Sequence, residues 1–265
     1  MRTHETAKIA CISCTHSPFT PPETTEWVLS TLSNMKGLTH FGHLGDVFEA
    51  SAASIHNDSN DTGIHTLEDE YEHAHDLLSA IRSVLPTDCK LWINKGNHDA
   101  NLEAQDPRRV PKRFRSLVHW TMHPTFSGEF RKWLWIPYEK SERGVMNIGQ
   151  CAFYHGFESG PSSDETEGLQ MLNAMSPAQR QTYRLMVRGH THRPIPPTQM
   201  RRTTRIPLPF WYANVGTCGP LNPVWMTRKD TTQWGSSILV VECRVDRPSR
   251  LVGKCWSAEL IRKSQ

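Results

Sequence analysis

Apolar residues recur along the first half of the chain in two alternating patterns. Apolar positions at helical spacing predict two helices, over residues 22 to 35 and 67 to 85, and each pattern stops at a glycine or proline. Short apolar runs of the kind typical of buried strands lie around them, at residues 8 to 13, 38 to 44 and 91 to 94. Strands that alternate with helices predict βαβ units and therefore a parallel sheet.

The second half of the chain has a different pattern, in which short strands dominate. Four strands are predicted there, at residues 151 to 155, 184 to 189, 210 to 215 and 236 to 244, and a helix at 160 to 174 interrupts them. A βαβ half followed by a β-rich half predicts an α/β fold with two sheets packed face to face and helices outside. We expect one domain over residues 1 to 265, with a basic and aromatic, cap-like insertion at about 101 to 135.

Several predicted strands end directly before residues that commonly bind metals. These residues are Cys14, His16, Asp46, Asn97, His155, His190 and His192, and His98 and Asp99 follow Asn97 without a gap. Because the carboxyl ends of parallel strands line the ligand crevice of an α/β fold, we expect these side chains to meet. Imidazole, carboxylate, thiolate and amide ligands together suit two transition-metal ions better than calcium or magnesium.

Each of these residues, taken alone, has an ordinary structural interpretation. A single histidine is more often a core or surface residue than a ligand, Asp46 could be a turn carboxylate, and Asn97 could be a turn former. Eight other histidines are assigned to the structural class, with His43 the least certain of them: His40, His43, His56, His65, His73, His75, His119 and His123. The joint pattern therefore carries the metal-site hypothesis.

The ordered motifs Cys-x-His, Gly-Asp, Gly-Asn-His-Asp, His and Gly-His-Thr-His, between residues 8 and 192, resemble the calcineurin-like metallophosphoesterase superfamily. The family has aspartate where this chain has Cys14. The resemblance implies a four-layer αββα sandwich of two mixed sheets flanked by helices. The compact pattern with small polar loops is also similar to family members that phages and prophages encode.

The resemblance further implies how the ligands are divided between two metal ions. Cys14, His16 and His192 would bind one ion, and Asp46 would bridge to a second ion held by Asn97, His155 and His190. Two ions about 3.5–4 Å apart can hold the attacking and leaving oxygens of a displacement at phosphorus and activate a water. His98 would steady phosphoryl oxygens or protonate the leaving group, and Asp99 would either orient the His98 ring or stabilise the turn.

Cys14 allows two interpretations. As a thiolate ligand it would favour zinc or iron, with manganese and nickel also possible and magnesium disfavoured. Alternatively, the first metal position has been lost and Cys14 is a small apolar filler.

Composition limits the partners and the compartment. The net charge is only +3, from 30 basic and 27 acidic residues, which is less than a dedicated nucleic-acid binder carries. The first residues lack an apolar signal core, no run is long enough for a membrane span, and seven scattered cysteines favour reduced thiols. We therefore expect a cytoplasmic protein with no membrane partner.

The substrate class is predicted from basic residues near the motifs. Arg108, Arg109 and Arg113 lie in the segment after Asp99, and a second basic run covers residues 201 to 205. If they contact substrate, a phosphodiester of a nucleotide, DNA or RNA is favoured; if they are solvated surface residues, this preference disappears. A phosphomonoesterase remains an alternative, and a non-catalytic scaffold that binds metal and a partner protein is an alternative of another class.

Overall fold

The computed structural model describes residues 5–50, 66–104, 128–200, 209–223, 231–245 and 254–264. Eleven strands are present in these ranges: β1 (Thr6–Ile12), β2 (His40–His43), β3 (Lys90–Asn94), β4 (Leu134–Ile136), β5 (Met146–Ile148), β6 (Cys151–Phe153), β7 (Leu185–Arg188), β8 (Pro194–Gln199), β9 (Trp211–Val215), β10 (Ser237–Arg244) and β11 (Trp256–Arg262). The same ranges contain five α-helices: α1 (Pro22–Ser33), α2 (Leu67–Val84), α3 (Asn97–Ala104), α4 (Ser163–Ala174) and α5 (Pro177–Thr182).

The strands form two mixed sheets. The first has the order β11-β10-β1-β2-β3-β4. Strands β1 to β4 are parallel to one another, and β10 pairs in antiparallel orientation with both β1 and β11. The second has the order β5-β6-β7-β9-β8, with β6, β7 and β9 parallel and an antiparallel strand at each edge. Each sheet thus presents the carboxyl ends of several neighbouring parallel strands along one edge.

Three apolar clusters separate the layers. Ile9 and Cys11 of β1 belong to the cluster between the two sheets, whereas Ala10 and Ile12 belong to the cluster beneath α1 and α2. A strand that is buried on both faces reads as a continuous apolar run, which explains the pattern at residues 8 to 13. A third cluster packs α4 against the second sheet through Met171 and Met186. The expected α/β fold, with two mixed sheets between helices, is confirmed.

None of the four edge strands, β4, β5, β8 and β11, was predicted from the sequence. Strand β8 contains three prolines in the sequence PIPPTQ, and its pairing with β9 shifts register between Ile195 and Thr198. Proline cannot donate to a sheet ladder, so it is tolerated at an edge where half of the donors have no partner strand. Strand β11 lies at the edge of the first sheet and alternates buried and exposed positions weakly. Apolar runs in the sequence therefore do not mark these edge strands.

Several expectations concern residues outside the described ranges. Arg108, Arg109, Arg113 and the basic run at 201 to 205 lie there, as does most of the expected insertion. The ends of that insertion belong to α3 and to a short 3₁₀ turn, Phe130–Lys132, that leads into β4. No helix in the described ranges is long and apolar enough to cross a membrane. All seven cysteines are free.

Candidate metal centre

The predicted ligands meet where the two sheets present the carboxyl ends of their parallel strands. The first sheet contributes Cys14 and His16 after β1, Asp46 after β2, and Asn97 at the start of α3 after β3. The second contributes His155 after β6, and His190 and His192 after β7. Three groups of potential ligand atoms lie within 4.8 Å of one another: Cys14, His16 and His192; Cys14, Asp46 and His155; and His16, Asp46 and His98.

The backbone is strained at most of these positions. Of six described non-glycine residues with positive φ, five are predicted ligands: Cys14 (54°), His16 (51°), Asp46 (53°), His190 (70°) and His192 (61°). Each such residue costs about 1–3 kcal/mol and persists only where the surrounding structure enforces it. Here backbone hydrogen bonds do so, including Cys14 N to the Gly45 carbonyl at 2.9 Å and His16 N to the Asp46 carbonyl at 3.0 Å. Such clustered strain is typical of functional sites.

The histidine pair His16 and His192 forms the first half of the centre. Nδ1 of His16 donates to Oε2 of Glu49 at 2.7 Å, and Nε2 lies 3.2 Å from Nε2 of His192. Burial would lower the pKa of His16, but its hydrogen bonds with Cys14 and Glu49 outweigh this effect and raise that pKa well above its ordinary value, so Nε2 carries a proton that a metal ion would replace. Two nitrogen ligands at ~2.0–2.1 Å from a tetrahedral zinc ion lie roughly 3.3 Å apart. The separation of these two nitrogens therefore fits a shared cation.

The second half of the centre converges on His155. Its Nδ1 donates to the Leu44 carbonyl at 2.6 Å, which leaves Nε2 as an acceptor. Nε2 nevertheless faces Oδ2 of Asp46 at 3.1 Å, Oδ1 of Asn97 at 3.2 Å and Nδ1 of His190 at 3.2 Å. A nitrogen surrounded by acceptors in this way requires a proton or a metal ion between them. The residues present therefore fit the second ion.

The electrostatics of the ion-free chain support this conclusion. Burial alone would lower the pKa of His155, but the charge of Asp46 outweighs it and raises that pKa to about 9. A proton thus takes the place that a metal would fill. Burial, assisted by the charge of His155, lowers the pKa of His190 to about 3, and burial beside His16 lowers that of His192 well below its ordinary value. Neutral imidazole is the form that binds metals.

Asp46 lies between the two halves. Its Oδ2 atom is 3.1 Å from His155 Nε2 and 4.0 Å from His16 Nε2, while Oδ1 accepts a hydrogen bond of 3.0 Å from the His98 backbone N–H. Burial would raise the pKa of Asp46, but the neighbouring His155 and His98 hold it well below its ordinary value. An ionised carboxylate in this position can bridge two cations.

The geometry favours the ligand interpretation of Cys14 over the filler interpretation. Its side chain is fully buried, yet it belongs to none of the apolar clusters found among the described residues. Its sulfur accepts from the His190 backbone N–H at 3.4 Å and lies 3.0 Å from the Ser13 hydroxyl. Because it groups with His16 and His192 and also with Asp46 and His155, the sulfur can reach either half of the centre.

His98 lies on the open side of the same centre. Its Nδ1 donates to the Glu49 backbone carbonyl at 2.5 Å, and its ring meets the His16 ring edge-on with centroids 4.9 Å apart. His98 lines a cavity of about 110 Å³ together with several of the predicted ligands; the other lining residues are His16, Asp46, Glu49, Asn97, His190, His192, Pro220, Pro223 and Trp234.

The structure corrects the prediction that Asp99 is catalytic and orients His98. Oδ1 of Asp99 accepts from the backbone N–H groups of Val47 and Phe48, at 3.0 and 3.1 Å, and Oδ2 accepts from Gly96 N–H at 2.8 Å. Burial raises the pKa of this carboxyl. The first turn of α3 points Asp99 into the protein while His98 points out, so Asp99 joins the two ligand-bearing turns. It has the turn-stabilising role that was the alternative.

His43 keeps the structural role assigned to it. Its Nδ1 accepts from Gly45 N–H at 3.2 Å, so Nε2 carries the proton and donates to the Thr15 hydroxyl at 3.0 Å. Burial and the nearby charge of His155 lower the pKa of His43 to about 3. The ring therefore ties the turn after β1 to the turn after β2 and offers no lone pair to the ions.

Two glycines permit the close approach of these turns. A Cβ atom on Gly96 would overlap Oδ1 of Asp46, and one on Gly189 would overlap the hydroxyl of Ser13. The Gly-Asn-His and Gly-His-Thr-His motifs thus require glycine because another segment of the site occupies the space of its side chain.

A buried polar network holds the turn that carries His190 and His192. Asn214 donates through Nδ2 to Oδ1 of Asp164 at 2.7 Å and to the Gly189 carbonyl at 2.9 Å, and it lies 2.7 Å from the Thr191 hydroxyl. Thr191 donates to the same Asp164 oxygen at 3.0 Å. Thr191 thus contacts Asp164 and Asn214 and anchors the turn to α4.

Sequence analysis missed Glu49 and Trp234. Glu49 contacts both His16 and His98, and the Trp234 ring packs edge-on against His192 with centroids 4.2 Å apart. Glu49 follows Asp46 by three residues and Trp234 lies in a polar stretch, so no local pattern marks either one. Only their spatial neighbours reveal them.

Comparison with known proteins gives similarities of fold only. No family profile matches the sequence, and no curated protein sequence matches it. Among solved structures, a conserved protein of Streptococcus pneumoniae described as a predicted phosphoesterase is 13% identical, with a TM-score of 0.35 over 98% of this chain and 100% of that chain. Vps29 of Chaetomium thermophilum is also 13% identical, with a TM-score of 0.37 over 98% and 97%.

A further similarity is to a phosphatase from Mycoplasma pneumoniae. It is 12% identical, with a TM-score of 0.39 over 98% of this chain and 95% of that chain. At these levels of similarity, the function has to be inferred from the side chains of the site itself.

Proposed function

We propose that this protein is a dinuclear metal-dependent phosphoesterase that hydrolyses a phosphodiester of a nucleotide or nucleic acid. The observation that carries the proposal is the environment of His155 Nε2. Nε2 faces Asp46, Asn97 and His190 at 3.1–3.2 Å, an arrangement that requires a proton or a metal cation between these atoms. A second pair of imidazole nitrogens, from His16 and His192, has ligand spacing on the other side of Asp46.

The proposed ligand sets are those that the family resemblance implies, and these distances are compatible with them. Cys14, His16 and His192 would hold one ion, Asn97, His155 and His190 the other, and Asp46 would bridge them. When bound, two divalent ions in these positions would supply a hydrolytic water near neutral pH and positive charge for the phosphoryl oxygens. The mixture of imidazole and thiolate favours zinc, iron or manganese, with nickel possible, over magnesium.

The protein's own groups would orient the substrate and transfer protons. Glu49 fixes the Nδ1 proton of His98 on a carbonyl oxygen, so His98 presents Nε2 to the cavity. In its imidazolium form, His98 can donate a hydrogen bond to a phosphoryl oxygen or protonate the leaving oxygen.

Metal analysis and hydrolysis assays test the proposal together. The purified protein is expected to carry close to two transition-metal ions per chain, and to hydrolyse bis-p-nitrophenyl phosphate faster than p-nitrophenyl phosphate when supplied with zinc, manganese or nickel. His98→Ala is expected to lower kcat by about 10²–10⁴. Asp46→Ala is expected to abolish binding of at least one ion.

His75→Ala is the matched control, because this histidine lies on the partly exposed surface of α2 beside Asp76. The activity of the His75→Ala variant should equal that of the unmodified protein. Unchanged hydrolysis in both His98→Ala and Asp46→Ala would contradict the proposal. Preference for the monoester would instead identify a phosphomonoesterase, and tight metal binding without hydrolysis of either ester would identify a scaffold.

A further inference from the structure

A second, larger cavity adjoins the metal cavity. It has a volume of about 1390 Å³, and both cavities are lined by Pro220 and Trp234. Its other walls come from the start of α1, the residues after His192 and the end of β11. Drug-sized ligands need roughly 300–1,000 Å³, so this groove has room for more than one nucleotide unit beside a metal cavity of only about 110 Å³.

The walls of the groove carry cationic groups in fixed positions. Arg262 donates to the Pro194 carbonyl at 2.8 Å, and Lys263 donates to the Thr24 hydroxyl at 2.9 Å. Each contact uses one donor of a side chain that has several, so donors remain for a ligand in the groove. The two acidic residues of the lining are partly compensated: Asp164 pairs with Arg193 at 2.8 Å, and the exposed Glu23 is 4.0 Å from Lys263.

Trp234 lies at the junction of the two cavities. One edge of its ring system packs against His192, while the residue as a whole is only half-buried. An indole in this position can stack a nucleobase whatever its sequence, and fixed cations further along a groove can pair with the backbone phosphates of a strand. A substrate strand could therefore place its scissile phosphate in the metal cavity and the adjacent nucleotides in the larger groove.

We propose that this groove binds the nucleotides of a single-stranded nucleic acid next to the scissile phosphate, with one base on Trp234 and phosphates at Arg262 and Lys263. The inference rests on the proposed function and specifies its substrate class. It predicts that kcat/KM rises with the length of the strand, because each added nucleotide fills more of the groove.

The experiment compares oligodeoxythymidylates of two to eight nucleotides with bis-p-nitrophenyl phosphate. The kcat/KM for the octamer divided by the kcat/KM for bis-p-nitrophenyl phosphate should fall about tenfold in the double variant Arg262→Gln and Lys263→Gln. The double variant should also bind a labelled octamer more weakly in EDTA, as measured by fluorescence anisotropy. If two phosphate contacts are lost, the slope of log K for octamer binding against log salt concentration should become shallower by about 1.4. Trp234→Leu should weaken octamer binding about 5- to 100-fold.

Arg180→Gln is the control for the loss of charge, because Arg180 is exposed on α5 outside the lining of either cavity. Thermal unfolding and metal content verify that the variants are folded. The groove assignment would be overturned if kcat/KM does not rise with strand length, even if small diesters are hydrolysed. It would also be overturned if the double variant binds the octamer as tightly as the unmodified protein does. Length dependence on phosphopeptides instead of oligonucleotides would also overturn it. Failure to hydrolyse any ester would refute the proposed function, while anisotropy in EDTA would still decide the groove.

Discussion

Oε2 of Glu49 accepts a hydrogen bond of 2.7 Å from Nδ1 of His16, and the backbone carbonyl of Glu49 accepts one of 2.5 Å from Nδ1 of His98. One residue thus sets the tautomer of two rings. Both rings present Nε2 to the centre, where in the proposed function His16 would bind a metal ion and His98 would face the substrate. A carboxylate behind a ligating histidine fixes its orientation and increases its basicity.

Removing this carboxylate should weaken one metal site. Glu49→Ala is expected to lower the affinity for the ion at His16 by about 10- to 100-fold. Glu49→Gln keeps an acceptor oxygen without the charge and should cost less. Calorimetric titration of the metal-free protein with zinc measures both changes. Equal affinity in Glu49→Ala and the unmodified protein would show that the contact does not support the site.

Cys14 should control the choice of metal. Cys14→Ser is expected to weaken binding of the ion at His16 and His192 preferentially, and Cys14→Asp should shift preference from zinc toward manganese because a carboxylate is a harder ligand. Competition titrations followed by metal analysis measure this preference. Cys89→Ser, at a partly exposed thiol outside the centre, is the control. The assignment would be contradicted if Cys14→Ser weakened binding of both ions equally, or if it weakened binding of neither ion.

Asn214 should stabilise both the fold and the Gly-His-Thr-His turn. Asn214→Ala removes hydrogen bonds to Asp164 and to the Gly189 carbonyl, and it leaves buried polar groups without partners. The expected loss in the free energy of unfolding is about 1–3 kcal/mol. Urea unfolding measures it, and zinc titration should show weaker binding because His190 and His192 are no longer held. A loss of metal affinity without a loss of stability would mean that the network serves the site alone.

Glu129 should make stability depend on pH. Burial alone would raise its pKa, but hydrogen bonds from Arg82 at 2.7 Å and Lys132 at 3.0 Å outweigh this effect and hold the pKa below its ordinary value of 4.5. A carboxyl with a lowered pKa stabilises the folded state fully above pH 4.5, and the contribution is lost as the pH falls further.

Glu129→Gln is therefore expected to reduce the free energy of unfolding by about 1.5–3 kcal/mol at pH 7 and by much less at pH 3. Urea unfolding at the two pH values measures the difference. Glu242→Gln, at a half-exposed carboxylate 3.5 Å from Lys8, should change stability by less than about 1 kcal/mol at either pH. A pH-independent effect at Glu129 would mean that its charge is unimportant.

The predictable part of the fold is the part that is buried on both faces. The run at residues 8 to 13 revealed β1 because Ile9 and Ile12 pack on opposite sides of it. The proline-rich β8 and the half-exposed β11 carry no such run, because their side chains meet only one layer. Local hydrophobic patterns therefore predict central strands well and edge strands poorly.

Sequence by itself determined which residue types stand at the ends of the parallel strands, because strand periodicity and the glycine turns after it are local properties of the chain. Tertiary structure decided what those residues do. It turned the carboxylate of Asp99 onto backbone amides, placed Glu49 behind His16 and His98, and set Oδ2 of Asp46 between the two halves of the centre. These outcomes depend on positive-φ turns that bring together residues far apart in the sequence, such as His16 and His192. No local sequence pattern encodes a contact between such distant segments.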